Sequence, residues 1–208
     1  MSPDQPPTLG AILAGGLARR LGGGDKALRL VGGRTVLARL VERMTPQVTR
    51  LVLNANDDPA RFGALGLPVV ADSLPGHPGP LAGVLAALEW AASNEPATEW
   101  VVTAPGDAPF LPRDLVARLH AERRRATFAC AASGGWTHPV IGLWPVSVRD
   151  ELRRAVAVDD TRKIDAFTGR HSCSAVEWPV EPVDPFLNVN TPEDLLEADR
   201  LATAHPEI

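Results

Sequence analysis

The stretch Leu13-Ala-Gly-Gly-Leu-Ala-Arg-Arg-Leu-Gly-Gly-Gly-Asp-Lys26 gathers five glycines and three cations into one short segment. Without Cβ atoms, Gly15, Gly16, Gly22, Gly23 and Gly24 let backbone N–H groups approach an anion closely. Arg19 and Arg20 can grip phosphate oxygens through paired donors, and Lys26 adds a point charge. The segment reads as an anion-binding loop suited to a phosphate. A carboxylate stands further along, in Pro105-Gly-Asp-Ala-Pro-Phe110. The prolines on either side of Asp107 stiffen its turn. Mg²⁺ binds through one or two carboxylates plus substrate phosphates, which makes Asp107 the candidate metal ligand. Arg20, Lys26 and Asp107 are the candidate catalytic set.

Two known phosphate motifs do not account for the loop. Walker A needs Gly-Lys-Ser/Thr, whereas Lys26 lies between Asp25 and Ala27. Gly22-Gly-Gly24-Asp-Lys-Ala27 matches GxGxxA but begins well beyond the strand it should follow, so the dinucleotide fingerprint lacks its context. Asn54 and Asp72 are polar residues at the ends of apolar runs. Phe186-Leu-Asn188-Val-Asn190 places two amides two residues apart, on one face if the segment is extended. Asn188 and Asn190 are candidates for the metal or a second substrate. His77-Pro78 and His138-Pro139 lack a Ser or Cys partner for a nucleophilic triad. The five tryptophans read as core or strand-edge packing.

The elements that must position these residues follow from hydrophobic patterning. Thr8 to Ala14, Arg50 to Asn54, Pro68 to Ala71 and Trp100 to Ala104 are short continuous apolar runs, the signature of strands buried on both faces. Helical spacing appears over 35–47 and from Leu81 onward, and Pro112 fits the first turn of a further helix. A short helix is expected over Pro59 to Leu65. Beyond residue 125, strands are expected at Thr127–Ala132 and Trp136–Trp144 around a Gly134-Gly135 turn, helices at 147–157 and 160–167, and a strand at Ser174–Trp178. Thr191-Pro-Glu-Asp194 is a helix start with a capping-box-like pattern. Alternating strands and helices predict a three-layer α/β sandwich with a mostly parallel central sheet. Ligands of such sheets sit at the carboxyl ends of the strands, where the glycine-rich loop, Asn54, Asp72 and Asp107 all fall.

Composition limits the function classes. Of 208 residues, 45% are hydrophobic and 22% charged, the balance of a folded domain, which excludes disorder. The formal net charge of −4 argues against general nucleic-acid binding. Cys130 and Cys173 form neither a CxxC pair nor a zinc spacing with histidine. Both read as small core hydrophobes in a reducing cytosol. Residues 1–7 carry no positive start or apolar run and read as a loose leader, followed by a single domain over 8–204. No apolar stretch is long enough to span a membrane, so a cytoplasmic location is expected.

Read together, Leu13-Ala-Gly-Gly16, Arg20, Gly22-Gly23 and Asp25-Lys26 resemble the signature loop of the molybdenum cofactor guanylyltransferase family. The resemblance continues in order through Asn54, Asp72-Ser73, Gly79-Pro-Leu-Ala-Gly83, Pro105-Gly-Asp107, His138-Pro139 and Asn188-Val-Asn-Thr-Pro-Glu-Asp194. It departs at Leu21, where methionine is common in the family, and at the third glycine of Gly22-Gly23-Gly24. The first loop alone is shared by nucleotidyltransferases at large. The Leu13-Ala-Gly-Gly16 start with Asp25-Lys26, together with Gly79-Pro-Leu-Ala-Gly83, favours the guanylyl over the cytidylyl relative. The resemblance implies a Rossmann-like fold and transfer of GMP from GTP to the molybdenum-bearing pterin, with pyrophosphate released and Mg²⁺ as cofactor. It further implies that Leu13, Ala14, Gly15, Gly16, Lys26, Asn54, Asp72, Gly83 and Asp107 contact GTP, and that Asp107 also holds Mg²⁺. A monomer is expected, with molybdoenzymes or other cofactor-biosynthesis proteins as partners. The alternatives are a cytidylyl- or sugar-phosphate nucleotidyltransferase of the same fold, and a non-catalytic carrier of the molybdenum cofactor.

Overall fold

A computed structural model describes residues 5–14, 26–56, 58–74, 76 and 79–208. Among these residues the chain builds a seven-stranded sheet from β1 (Thr8–Leu13), β4 (Arg50–Asn54), β5 (Val69–Val70), β6 (Trp100–Pro105), β7 (Phe128–Ser133), β8 (Trp136–Pro145) and β9 (Cys173–Trp178). Their spatial order is β5-β4-β1-β6-β8-β7-β9. β5, β4, β1 and β6 run parallel, as do β7 and β9. β8 alone is antiparallel to its neighbours. Its reversal is local: Gly134 and Gly135 join β7 to β8 with φ of 56° and 81°, the positive pair that a tight two-residue hairpin requires. The expected mostly parallel sheet is therefore present. A small separate hairpin, β2 (Leu30–Val31) with β3 (Arg34–Thr35), turns on Gly32-Gly33 and had no counterpart in the hydrophobic pattern.

Both sheet faces are covered, which is why the strands read as continuous apolar runs. Leu9 and Ala11 of β1 join one core with helices α2 (Pro80–Asn94), α4 (Arg149–Ala157) and α5 (Ile164–Thr168). Ile12 joins the opposite core with α1 (Val36–Met44), α3 (Leu115–Glu122) and α6 (Pro192–Ala204). Val52 and Val101 face the first core, while Leu51, Leu53 and Val102 face the second, as the two-residue period of a strand demands. The result is the three-layer sandwich. α6 starts as its sequence promised: Thr191 Oγ1 accepts from Asp194 N at 3.2 Å, Asp194 Oδ2 accepts from Thr191 N at 2.9 Å, and Pro192 fills the first helical position.

Several local expectations need correction. α3 starts at Leu115, beyond Pro112, whose carbonyl accepts from Leu115 N at 3.3 Å and from Gln47 Nε2 at 2.9 Å. The carboxylate of Asp114, which precedes α3, is drawn off by Trp178 Nε1 at 3.0 Å, so it does not cap the helix. The helix expected over 160–167 begins only at Ile164, since Asp160 has a φ of 48°, which no helix continues. Residues Pro59–Leu65 form a 3-10 helix, and the third strand shortens to Val69–Val70. Cys130 is buried, but Cys173 is exposed on the edge strand β9. Trp136, at the hairpin tip, is 77% exposed instead of packed.

Candidate active site

The carboxyl end of β1 is the junction of three strands. Leu13 lies opposite Asn54 of β4 on one side and Pro105 of β6 on the other. The lacing continues past the strand ends: Ala14 N donates to Asn54 O at 2.8 Å, and Gly106 N donates to Leu13 O at 2.9 Å. The chain leaves β1, adds β4 and β5 on one side, and returns to place β6 on the other. That reversal opens a crevice at the carboxyl ends, the usual ligand position in open α/β sheets. Gly106 is closely fitted there, because a Cβ would stand 3.1 Å from Ala14 Cα and 3.2 Å from Leu13 O.

Asn54 and Asp72 form one wall. The Asn54 side chain, 4% exposed, donates from Nδ2 to Val70 O at 3.1 Å and to Asp72 Oδ1 at 2.9 Å. Asp72 Oδ2 accepts from Asn56 Nδ2 at 2.8 Å, and Asn56 Oδ1 accepts from Asp72 N at 2.8 Å. Each oxygen of the Asp72 carboxylate is thus fixed by one amide. Gly83, in the first turn of α2, backs Asn54 so closely that a methyl group would drive into Oδ1. Asn56 was missed in the sequence. Its two-residue spacing from Asn54 was the available signal.

The opposite wall is Asp107, half-buried in the turn after β6. Its carbonyl accepts from Val189 N at 2.8 Å, so the 187–190 segment crosses the turn after β6 and sets Asn188 and Asn190 on either side of that contact. Val189 is fully buried and anchors the crossing. Asn188 is exposed, and Asn190 N donates to Asp194 Oδ2 at 2.9 Å, tying the segment to the cap of α6. His138 supports the segment from behind: its ring lies 5.0 Å from that of Phe186, and its Nε2 is 2.8 Å from Ser133 Oγ. Burial holds the imidazole pKa below its ordinary value, against the pull of Asp184 and Glu177.

Leu13, Ala14, Asn54, Asp72, Gly83 and Asp107 therefore meet around one crevice, with Asn188 and Asn190 adjoining Asp107. Gly15, Gly16, Arg20 and the remaining glycines of the loop, and likewise His77, lie outside the described residues. Lys26 is described in its backbone, which opens a 3-10 turn over Lys26–Leu28. Among the described residues no three His, Cys, Asp or Glu side chains cluster as a metal cage. A divalent cation at Asp107 would have to take its other ligands from amides, water and ligand oxygens.

Residues 10–174 match the family model described as MobA-like NTP transferase domain. A relative from Nitrobacter hamburgensis, named molybdenum cofactor guanylyltransferase, is 58% identical over 204 residues, covering 97% of this chain and 98% of its own. One of the same name from Mesorhizobium japonicum is 47% identical over 197 residues, covering 92% of this chain and 94% of its own. Among solved structures, the molybdopterin-guanine dinucleotide biosynthesis protein A of Archaeoglobus fulgidus aligns with a TM-score of 0.73 at 24% identity, over 94% of this chain and 99% of that one. At that identity the last likeness speaks for the fold.

Proposed function

The chain belongs to the MobA-like NTP transferase family, and from that membership we propose that it joins GMP from GTP to the molybdenum-bearing pterin, forming the guanine dinucleotide cofactor and pyrophosphate. The observation that carries this reading is the meeting of Leu13-Ala14, the Asn54–Asp72 pair and Asp107 around the β4–β1–β6 crevice.

A phosphate oxygen of the pterin attacks the α-phosphorus of GTP, and the bond from that phosphorus to the bridging oxygen of pyrophosphate breaks. The attacking phosphate is already an anion, so no strong general base is needed. The obstacle is the approach of two anions and the charge spread over the transition state. Positioning and electrostatic stabilisation must then supply most of the acceleration. In this reading the glycine-rich loop, with Gly15, Gly16, Arg20 and Lys26, holds the leaving phosphates. Leu13 and Ala14 border the nucleotide, and Gly83 keeps Asn54 in place. Asp72, with one lone pair on each oxygen committed to Asn54 and Asn56, offers the others to hydroxyl or amide donors of the nucleoside. Asn188 and Asn190 lie on the Asp107 side, where the second substrate would enter.

Asp107 would hold Mg²⁺, which accepts one or two carboxylates and completes its shell with phosphate oxygens and water. Bound there, it would neutralise charge on the reacting phosphates. No helix among the described residues is long and apolar enough to cross a membrane, and a cytoplasmic site of action agrees with GTP as substrate.

The test is turnover with GTP, CTP, ATP or UTP, each with the molybdenum-bearing pterin and Mg²⁺, read as pyrophosphate and as product mass. GTP alone should react. It should also stabilise the fold by about 2.7 kcal/mol at a hundredfold excess over Kd. Equal turnover of CTP would overturn the guanine assignment. Pterin binding without pyrophosphate would make the protein a carrier.

A further inference from the structure

Away from the crevice, the two cysteines meet. Cys173 opens β9, and its backbone partner on β7 is Phe128, two residues before Cys130. That offset puts both side chains on the same sheet face, with Sγ atoms 3.7 Å apart. The pair borders a cavity of about 340 Å³ between the sheet and α5, shared with Asp165, Thr168 and His171. Cys173 is exposed and Cys130 is buried. We propose that Cys130 and Cys173 are a reversible dithiol that a hydroperoxide converts to an intramolecular disulfide, with Cys173 as the attacking thiol and Cys130 as the resolving one.

The roles follow from the surroundings. The contact with the Cys130 thiol lowers the pKa of Cys173, against burial and the nearby Asp165 carboxylate. The Cys130 thiol is pushed upward by that same hydrogen bond and by burial. The thiolate is the nucleophile, so the exposed sulfur reacts first. Cys173 sulfur attacks one peroxide oxygen, the O–O bond breaks, and hydroxide leaves, giving the sulfenic acid. Cys130 sulfur then attacks Cys173 sulfur and displaces hydroxide, which takes up the Cys130 proton as water. Two thiols lose two electrons in all, and the peroxide takes them as it becomes water. Closing the gap from 3.7 Å to a bond of about 2.05 Å asks for side-chain rotation and a small shift at the first residue of an edge strand.

The experiment treats the full chain with hydrogen peroxide, without nucleotide or pterin, so its outcome is independent of the transfer reaction. The wild type should lose both free thiols and about 2 Da in mass, yield a linked Cys130–Cys173 peptide pair, and recover both thiols with dithiothreitol. Cys130→Ser should stop at a sulfenic acid on Cys173 that dimedone traps. Cys173→Ser should leave Cys130 unmodified while the protein stays folded. Sulfenic or sulfinic acid building up on wild-type Cys173 while Cys130 still titrates as a thiol would overturn the proposal. So would two intact thiols at peroxide levels that oxidise free cysteine.

Discussion

Asn54 holds Asp72 by a side-chain hydrogen bond of 2.9 Å from Nδ2 to Oδ1, at the point where the carboxyl ends of β4 and β5 meet. The same nitrogen also donates to Val70 O at 3.1 Å, so one amide satisfies a backbone carbonyl and aims a carboxylate. The pair stands at the carboxyl end of the sheet, with Leu13 beside Asn54 on β1 and Gly83 behind it.

Asn54→Ala removes both donors. Val70 O keeps its bond from Ala55 N at 3.1 Å, so the stability cost is that of the lost side-chain bonds, about 1 kcal/mol. Denaturant unfolding should show that decrease. The thermal shift given by GTP should shrink by more than the stability loss accounts for, because Asp72 is no longer aimed. A variant that binds GTP like the wild type would take Asn54 and Asp72 out of the site.

Gly83→Ala tests the same pair from behind. In an exposed helix this change gains about 1 kcal/mol of helix propensity. Here the new methyl drives into Asn54 Oδ1 and comes within 3.2 Å of Leu13 Cδ2, so Asn54 must move. GTP affinity should fall at least about tenfold, on the scale of one lost hydrogen bond to a charged group. Gly63→Ala is the control, since nothing lies within 4 Å of the added atom. Equal behaviour of the two variants would show that Gly83 is not needed for the fit.

The strand cores and the crevice were legible because the physics is local. An apolar run buried on both faces needs no partner to be recognised, and Thr191-Pro192 with Asp194 encodes its own helix start. What escaped depended on distant partners. Pro112 looks like a helix start, but the helix begins only at Leu115, and the Pro112 carbonyl is shared with the distant Gln47. Cys173 looks like a core residue until the sheet places it on an edge strand with an exposed side chain. β2 and β3, at two residues each, are too short to show any period. Asn56 shows its part only once the fold brings Asp72 beside it.

Asp107→Asn keeps the shape of the side chain and removes its charge. The backbone bond from Val189 N to Asp107 O does not depend on that charge, so the 187–190 crossing should persist and the melting point should stay close to that of the wild type. Pyrophosphate release should fall by about 100-fold or more, the scale seen when one preorganised electrostatic contact is removed from a transition state. The loss should appear in kcat at saturating GTP, and excess Mg²⁺ should recover little of it. Near-normal turnover would remove Asp107 from the chemistry.

His120 should make stability depend on pH. Its ring is 2% exposed and meets the Trp100 ring edge-on at 5.7 Å. Thr8 Oγ1 donates to Pro6 O at 2.8 Å, which commits its proton, so His120 Nε2 must be the donor in the 2.7 Å contact with Thr8 Oγ1. Nδ1 is then a buried lone pair without a partner, and protonating it would bury a charge with no acceptor. Burial first, and the Arg123 cation second, lower the pKa from 6.5 to about 4. Between those values the unfolded chain binds the proton and the folded one does not. Stability contributed by neutral His120 is therefore full above pH 6.5 and is lost as pH falls toward 4, by about 3 kcal/mol across the window. His120→Gln keeps a donor toward Thr8 and cannot titrate. Urea unfolding from about pH 7.5 to pH 4.5 should show a flatter profile for the variant than for the wild type. Parallel profiles would mean that His120 takes up its proton without cost to the fold.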